Sequence, residues 1–120
     1  MTMQTPGFSA QLFGYHPVRT GRDIEYDAFS RVTRGLQRAM HGEGSVSQAA
    51  AANVELWSTL ATDLADDGNG LPVALRGALL SLAIFSIRHA QAVMTGACQA
   101  GPLVEVNLSI MKGLRGEVAP

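Results

Sequence analysis

A chain of 120 residues, 47% of them hydrophobic and 16% charged, has the length of one domain and enough apolar material to build a core. A formal net charge of −1 excludes a global field that would draw the chain onto nucleic acid or an anionic membrane. The lone cysteine, Cys98, cannot close an internal disulfide, which points to a reducing compartment and hence to a cytoplasmic protein.

Residues 1–20 carry Pro6, Gly7, Gly14 and Pro17 and read as a flexible N-terminal arm ahead of a helical domain over residues 21–116. Met1 to Pro6 offer neither the basic nor the apolar run of a signal peptide. Phe8, Leu12, Phe13 and Tyr15 give the arm apolar side chains that would dock on the body or on a partner.

The first predicted helix covers residues 22–40, with Thr20 as N-cap and Asp23 in a capping-box-like place. At about 100° per residue, Phe29, Val32, Leu36 and Met40 form one stripe, and His41-Gly42-Glu43-Gly44 ends it. The second opens with a Ser45-x-x-Gln48 capping box and runs to Asp66, with Val46, Ala50, Trp57, Leu60 and Leu64 as its stripe. Asp66-Asp67-Gly68-Asn69-Gly70 stops it.

The third predicted helix has Pro72 near its first position and extends to Thr95, before Gly96. Leu75, Leu79, Leu82 and Val93 make one face, and Val73, Leu80, Ala83, Ile84 and Ile87 an adjoining one. Only a wedge of Gly77, Ser81, Arg88 and Thr95 reads as polar. A helix apolar nearly all round is expected to be the buried, central one. Its charge-free part between the arginines is shorter than the roughly 20 residues that span a bilayer, so no membrane insertion is expected. The fourth helix follows Gly101-Pro102, with Leu103, Val106, Ile110, Met111 and Leu114 as its stripe. No stretch alternates with period two and no internal repeat is present. The expected fold is all-α, a compact bundle of about four helices with a flexible N-terminal arm.

Catalytic chemistry is not legible. His16, His41 and His89 fall in different segments, Cys98 has no second thiolate, and no nucleophile has a positioned base. No catalytic, metal or cofactor-binding residue is therefore assigned. Placing Gly68 at the sixth position of a calcium loop would put Ala65 and Ala74 at ligand positions three and twelve, which removes that reading. Gly68-Asn69-Gly70 lacks the preceding strand and following lysine of a phosphate loop.

Polar residues on apolar stripes are more informative. Asn53, Asn107 and Glu25 lie on predicted core lines, and a buried unpaired amide costs about 1–3 kcal/mol. The expectation is an internal hydrogen-bond network that fixes helix register, joined by Arg22 and His89. The alternative is a polar pocket for a partner's backbone. Trp57, mid-stripe, reads as core rather than as a partner hot spot. Arg31, Arg34 and Arg38 share one side of the first helix, with Asp27 four residues before Arg31. A solvated row is expected there rather than a phosphate-binding one.

Four blocks of residues, in order, resemble the FlaF family of flagellar biosynthesis regulators. The first is Arg22-Asp23-Ile24-Glu25-Tyr26 with Phe29, Val32-Thr33 and Leu36. The second is Asn53, Leu56-Trp57, Leu60 and Asp63-Leu64, continuing into Gly68-Asn69-x-Leu71-Pro72. Leu75-Arg76, Leu79, Ser81-Leu82-Ala83 and His89 resemble the third, and Val106-Asn107 with Ile110-Met111 and Gly113-Leu114 the last. The resemblance makes Arg22, Glu25, Tyr26, Phe29, Asn53, Trp57, Leu71, Pro72, Arg76, His89 and Asn107 the motif and core residues. Gly35 departs from it, since a better helix former is expected there.

What the resemblance implies is a non-enzymatic factor for flagellin synthesis and secretion. It would bind flagellin like a secretion chaperone and act with FlbT, a regulator of flagellin messenger translation. The expected mode is helix-in-groove, an amphipathic terminal helix of flagellin lying on Leu80, Ile84 and Ile87 of the third helix. The Phe8–Tyr15 arm would cover that groove until the partner arrives. The alternative function is direct binding of flagellin messenger through the arginine row, and a third reading is a homodimer closed by surplus apolar surface.

Overall fold

The computed structural model describes residues 26–114, which form four helices: α1 (Tyr26–Met40), α2 (Val46–Ala65), α3 (Val73–Met94) and α4 (Gly101–Leu114). The expectations for the arm, for Thr20, Arg22, Asp23 and Glu25, and for the tail after Leu114 lie outside the described residues.

Local chemistry sets the breaks. Ser45 caps α2, its Oγ accepting from the Gln48 amide at 3.1 Å, one of the backbone donors that a helix start leaves over. α1 and α3 end alike. Gly42 and Gly96 both take φ +85°, a left-handed conformation that disfavours any side chain. After α1, the Gly42 amide donates to Ala39 O at 3.1 Å and the Glu43 amide to Arg38 O at 2.8 Å. After α3, the Gly96 amide donates to Val93 O at 3.0 Å and the Ala97 amide to Ala92 O at 2.9 Å. Both are Schellman closures, which satisfy the last carbonyls of a helix. Pro72 is the N-cap of α3; α4 begins at Gly101 itself, with Pro102 inside its first turn, where a missing N–H does no harm.

The helices run up, down, up and down, as the two core clusters reveal. One gathers Phe29 from the start of α1, Leu56, Trp57, Leu60 and Leu64 from the second half of α2, Leu79 and Ala83 from the first half of α3, and Ile110 and Met111 from the end of α4. The other gathers Leu36 from late α1, Ala50 from early α2, Ala90 and Val93 from late α3, and Leu103 and Val104 from early α4. Each large aliphatic or aromatic side chain so buried contributes about 1.5–3 kcal/mol. Phe29 and Trp57 meet edge to face, their ring centroids 5.6 Å apart.

α2 and α3 form the most extensive seam. From α3 it takes the buried line Leu79, Ala83, Ser86, Ala90 and Val93, mostly small side chains that let two backbones approach. That corrects the reading of α3 as a buried central helix. Only 22% of its most apolar 18-residue window is buried; Leu75, Leu80, Leu82 and Ile87 are half-buried against the first cluster, and Val73, Ile84 and Phe85 are exposed. By length and composition alone α3 would pass for a membrane span, because such a window tolerates its arginines; in the bundle it is a partner of α2. The stripe of α1 is also turned: Phe29, Thr33, Leu36 and Ala39 are buried, Val32 is half-buried, and Met40 is exposed.

Candidate functional site

Between the two apolar clusters each helix contributes one fully or almost fully buried polar side chain: Thr33 from α1, Asn53 from α2, Ser86 from α3 and Asn107 from α4. Asn107 ties two of these helices to the indole of Trp57. Its Oδ1 accepts from Trp57 Nε1 at 2.9 Å, and its Nδ2 donates to Asn53 Oδ1 at 2.8 Å. Among the described residues Thr33 Oγ1, Asn53 Nδ2 and Ser86 Oγ have no hydrogen-bond partner. The asparagine network is therefore a register device inside the bundle, with Asn107 at its centre and the fully buried Trp57 at one end. It has no opening from which to read a partner's backbone.

His89 does not belong to that network. Its Nε2 lies 2.8 Å from the Gln99 carbonyl; a carbonyl only accepts, so Nε2 carries the proton. Its ring also stacks on Phe85 at 5.3 Å. His89 thus holds the α3–α4 connection against α3. Arg22 and Glu25 lie outside the described residues, and Tyr26 packs half-buried against the first cluster.

Arg76 and Asn69 organise the α2–α3 turn. Arg76 Nε donates to Leu64 O at 2.9 Å and its Nη2 to Asp66 O at 3.3 Å, so the guanidinium caps the end of α2. Asn69, buried, donates from Nδ2 to Asp63 O at 3.1 Å and accepts the Leu71 amide at Oδ1 at 3.1 Å. Leu71 is thereby drawn into the core while Pro72 stays exposed. Sequence reasoning missed the part played by Asn69; its place between Gly68 and Gly70 was the available signal, since an asparagine side chain can close a turn onto backbone.

Among the described residues, the exposed face of α3 is a broad surface that the packing of the bundle does not use. Ala74, Gly77, Ala78, Ser81, Ile84, Phe85 and Arg88 are all exposed and recur at the three- and four-residue spacing of a single helix face. Ile84 is 52% and Phe85 42% exposed. A Cβ built on Gly77 would meet no atom within 4 Å, so the N-terminal half of this face is flat and open. Ser81, Ile84, Phe85, Arg88 and His89 line a shallow depression on it. Of the three α3 residues expected to bind a partner, Ile84 stands on this face. Leu80 and Ile87 sit on its flank, half-buried against the first core cluster. Phe8, Leu12, Phe13 and Tyr15 lie outside the described residues.

Arg31, Arg34 and Arg38 are exposed along α1. Among the described residues no three His, Cys, Asp or Glu side chains gather where they could hold a metal ion. No curated protein and no solved structure matches the chain. A family model does, that of the flagellar protein FlaF, and it aligns with residues 14–114. That span takes in every block of the resemblance and all four helices, so the chain belongs to the FlaF family of flagellar proteins.

Proposed function

We propose that this flagellar protein works by holding another polypeptide, in the cytoplasm and without catalysis. Its partner is flagellin, bound in a chaperone-like way to support synthesis and secretion together with FlbT. The observation that carries this reading is the outward face of α3, where Ile84 and Phe85 stand half open on the most apolar long helix of the bundle. Burying the exposed halves of both against a partner would contribute about 1.5–3 kcal/mol, and a helix is the shape whose grooves take such a ridge.

The test is co-purification of flagellin with the full chain and with Ile84→Glu and Phe85→Glu. Both substitutions fall on exposed positions, so thermal unfolding should stay near the parent value while capture drops. Flagellin lacking its terminal helices should no longer bind. Equal recovery of the truncated flagellin would count against the proposal. The exposed arginine row on α1 keeps a second reading open to experiment: messenger binding lost at high salt and in the triple alanine variant of Arg31, Arg34 and Arg38 would favour it.

A further inference from the structure

The outward face of α3 is graded along its length. Val73 stands 82% exposed at its start, Ala74, Gly77 and Ala78 then keep the rest of the first half low, Ile84 and Phe85 form a ridge, and Arg88 stands exposed toward the C-terminal end. From Val73 to Met94 the helix contains Arg76, Arg88 and His89 and no aspartate or glutamate. Arg76 is committed to the carbonyls of Leu64 and Asp66, and His89 to that of Gln99. Arg88 alone remains to meet a partner, and among the described residues no ion pair engages it.

Resting on the reading of α3 as the docking helix, we infer the chemistry and direction of the occupant. It is an amphipathic helix that lies antiparallel to α3 and brings an acidic first turn to Arg88. Two arguments converge. A carboxylate is favoured at a helix N-terminus by the backbone dipole, and an antiparallel helix places that terminus at the Arg88 end. The same orientation sets the occupant's later turns over Ala74, Gly77 and Ala78, where the lack of bulk lets two backbones come close. A second copy of this chain fits less well, because its α3 brings another arginine and no carboxylate.

Two synthetic helical peptides of identical composition and apolar face test this directly, one with two glutamates in its first turn and the other with them in its last. Each is titrated calorimetrically into the full chain and into Arg88→Gln, whose exposed position leaves the fold undisturbed. The first-turn peptide should bind about fivefold more tightly to the parent, the scale of an exposed ion pair. That preference should vanish in Arg88→Gln and fade at high salt. A preference that persists in Arg88→Gln belongs to the peptide's own helix stability and overturns the inference, as does equal affinity or binding of neither peptide. Dimerisation of the free chain abolished by Ile84→Glu would give the face to a second copy. Peptide binding seen only after removal of residues 1–20 would give it to the chain's own leader; both results overturn the assignment. If flagellin is captured while the peptides fail, this inference falls and the chaperone reading stands; if neither binds, both fall.

Discussion

Replacing Asn107 with leucine removes two hydrogen bonds at once, and the structure says what each loss leaves behind. Trp57 Nε1 loses its acceptor at 2.9 Å and Asn53 Oδ1 its donor at 2.8 Å. Both groups stay buried, since Trp57 and Asn53 are wholly inaccessible. At about 1–3 kcal/mol for each orphaned group, less about 1 kcal/mol regained from burying aliphatic carbon, the net loss is about 3 kcal/mol. Asn53→Leu is the same chemical change on the helix diagonally across the bundle, yet its consequence differs. It orphans Asn107 Nδ2 but also removes Asn53 Nδ2, which has no partner among the described residues. The two effects offset, leaving a net change of about 0–1 kcal/mol. Urea unfolding followed by helical circular dichroism and by fluorescence of Trp57, the sole tryptophan, measures both variants. The Asn107 midpoint should fall about 1–2 M further than the Asn53 midpoint. Equal losses, or a larger one for Asn53→Leu, would refute the assignment of Asn107 as the hub. The double variant leaves only the indole N–H without an acceptor, so it should lose less than the sum of the single changes.

Other substitutions test other parts of the bundle. Ser86→Ala and Thr33→Val each delete a buried hydroxyl that has no partner among the described residues; each should leave stability unchanged or raise it by about 1 kcal/mol in chemical denaturation. Arg76→Met uncaps Leu64 and Asp66 and should cost about 1–3 kcal/mol. Arg76→Lys should not restore it in thermal unfolding, because one ammonium cannot reproduce the guanidinium fork. Gly96→Ala forces a side chain into the left-handed region and should cost about 1–2 kcal/mol, measurable as a lowered melting temperature.

The helices were legible in the sequence because their boundaries rest on residues with local chemistry of their own. Ser45 accepts an amide, and Gly42 and Gly96 take a backbone angle that other residues resist. The facing of the helices was less legible. On α3 the pattern found Leu79, Ala83 and Val93, but it also favoured the bulky Val73 and Ile84, which are exposed, and missed the small Ser86 and Ala90, which are buried. Hydropathy ranks side chains by their dislike of water, but a close helix seam ranks them by size. The same competition turned α1, which buries Thr33 and Ala39 and leaves Met40 outside. Asn53 and Asn107, along with Glu25, were foreseen as polar groups each in need of a partner, because a polar side chain on an apolar stripe is conspicuous. The grouping with His89 failed because spacing along one helix carries no information about which carbonyl a neighbouring loop will present.

The alternating course of the helices brings Tyr26, at the start of α1, and Leu114, at the end of α4, against one and the same apolar cluster. Because the described segment enters and leaves at a shared pole, the peptide link at the opposite pole, His41 to Ser45, is not needed to hold the helices in order. A rearranged chain that begins at Ser45 and ends at Gly44, with its original ends joined, should reach the same bundle. Attachments made directly at Tyr26 and at Leu114 would leave from that single pole, the one at which α3 begins.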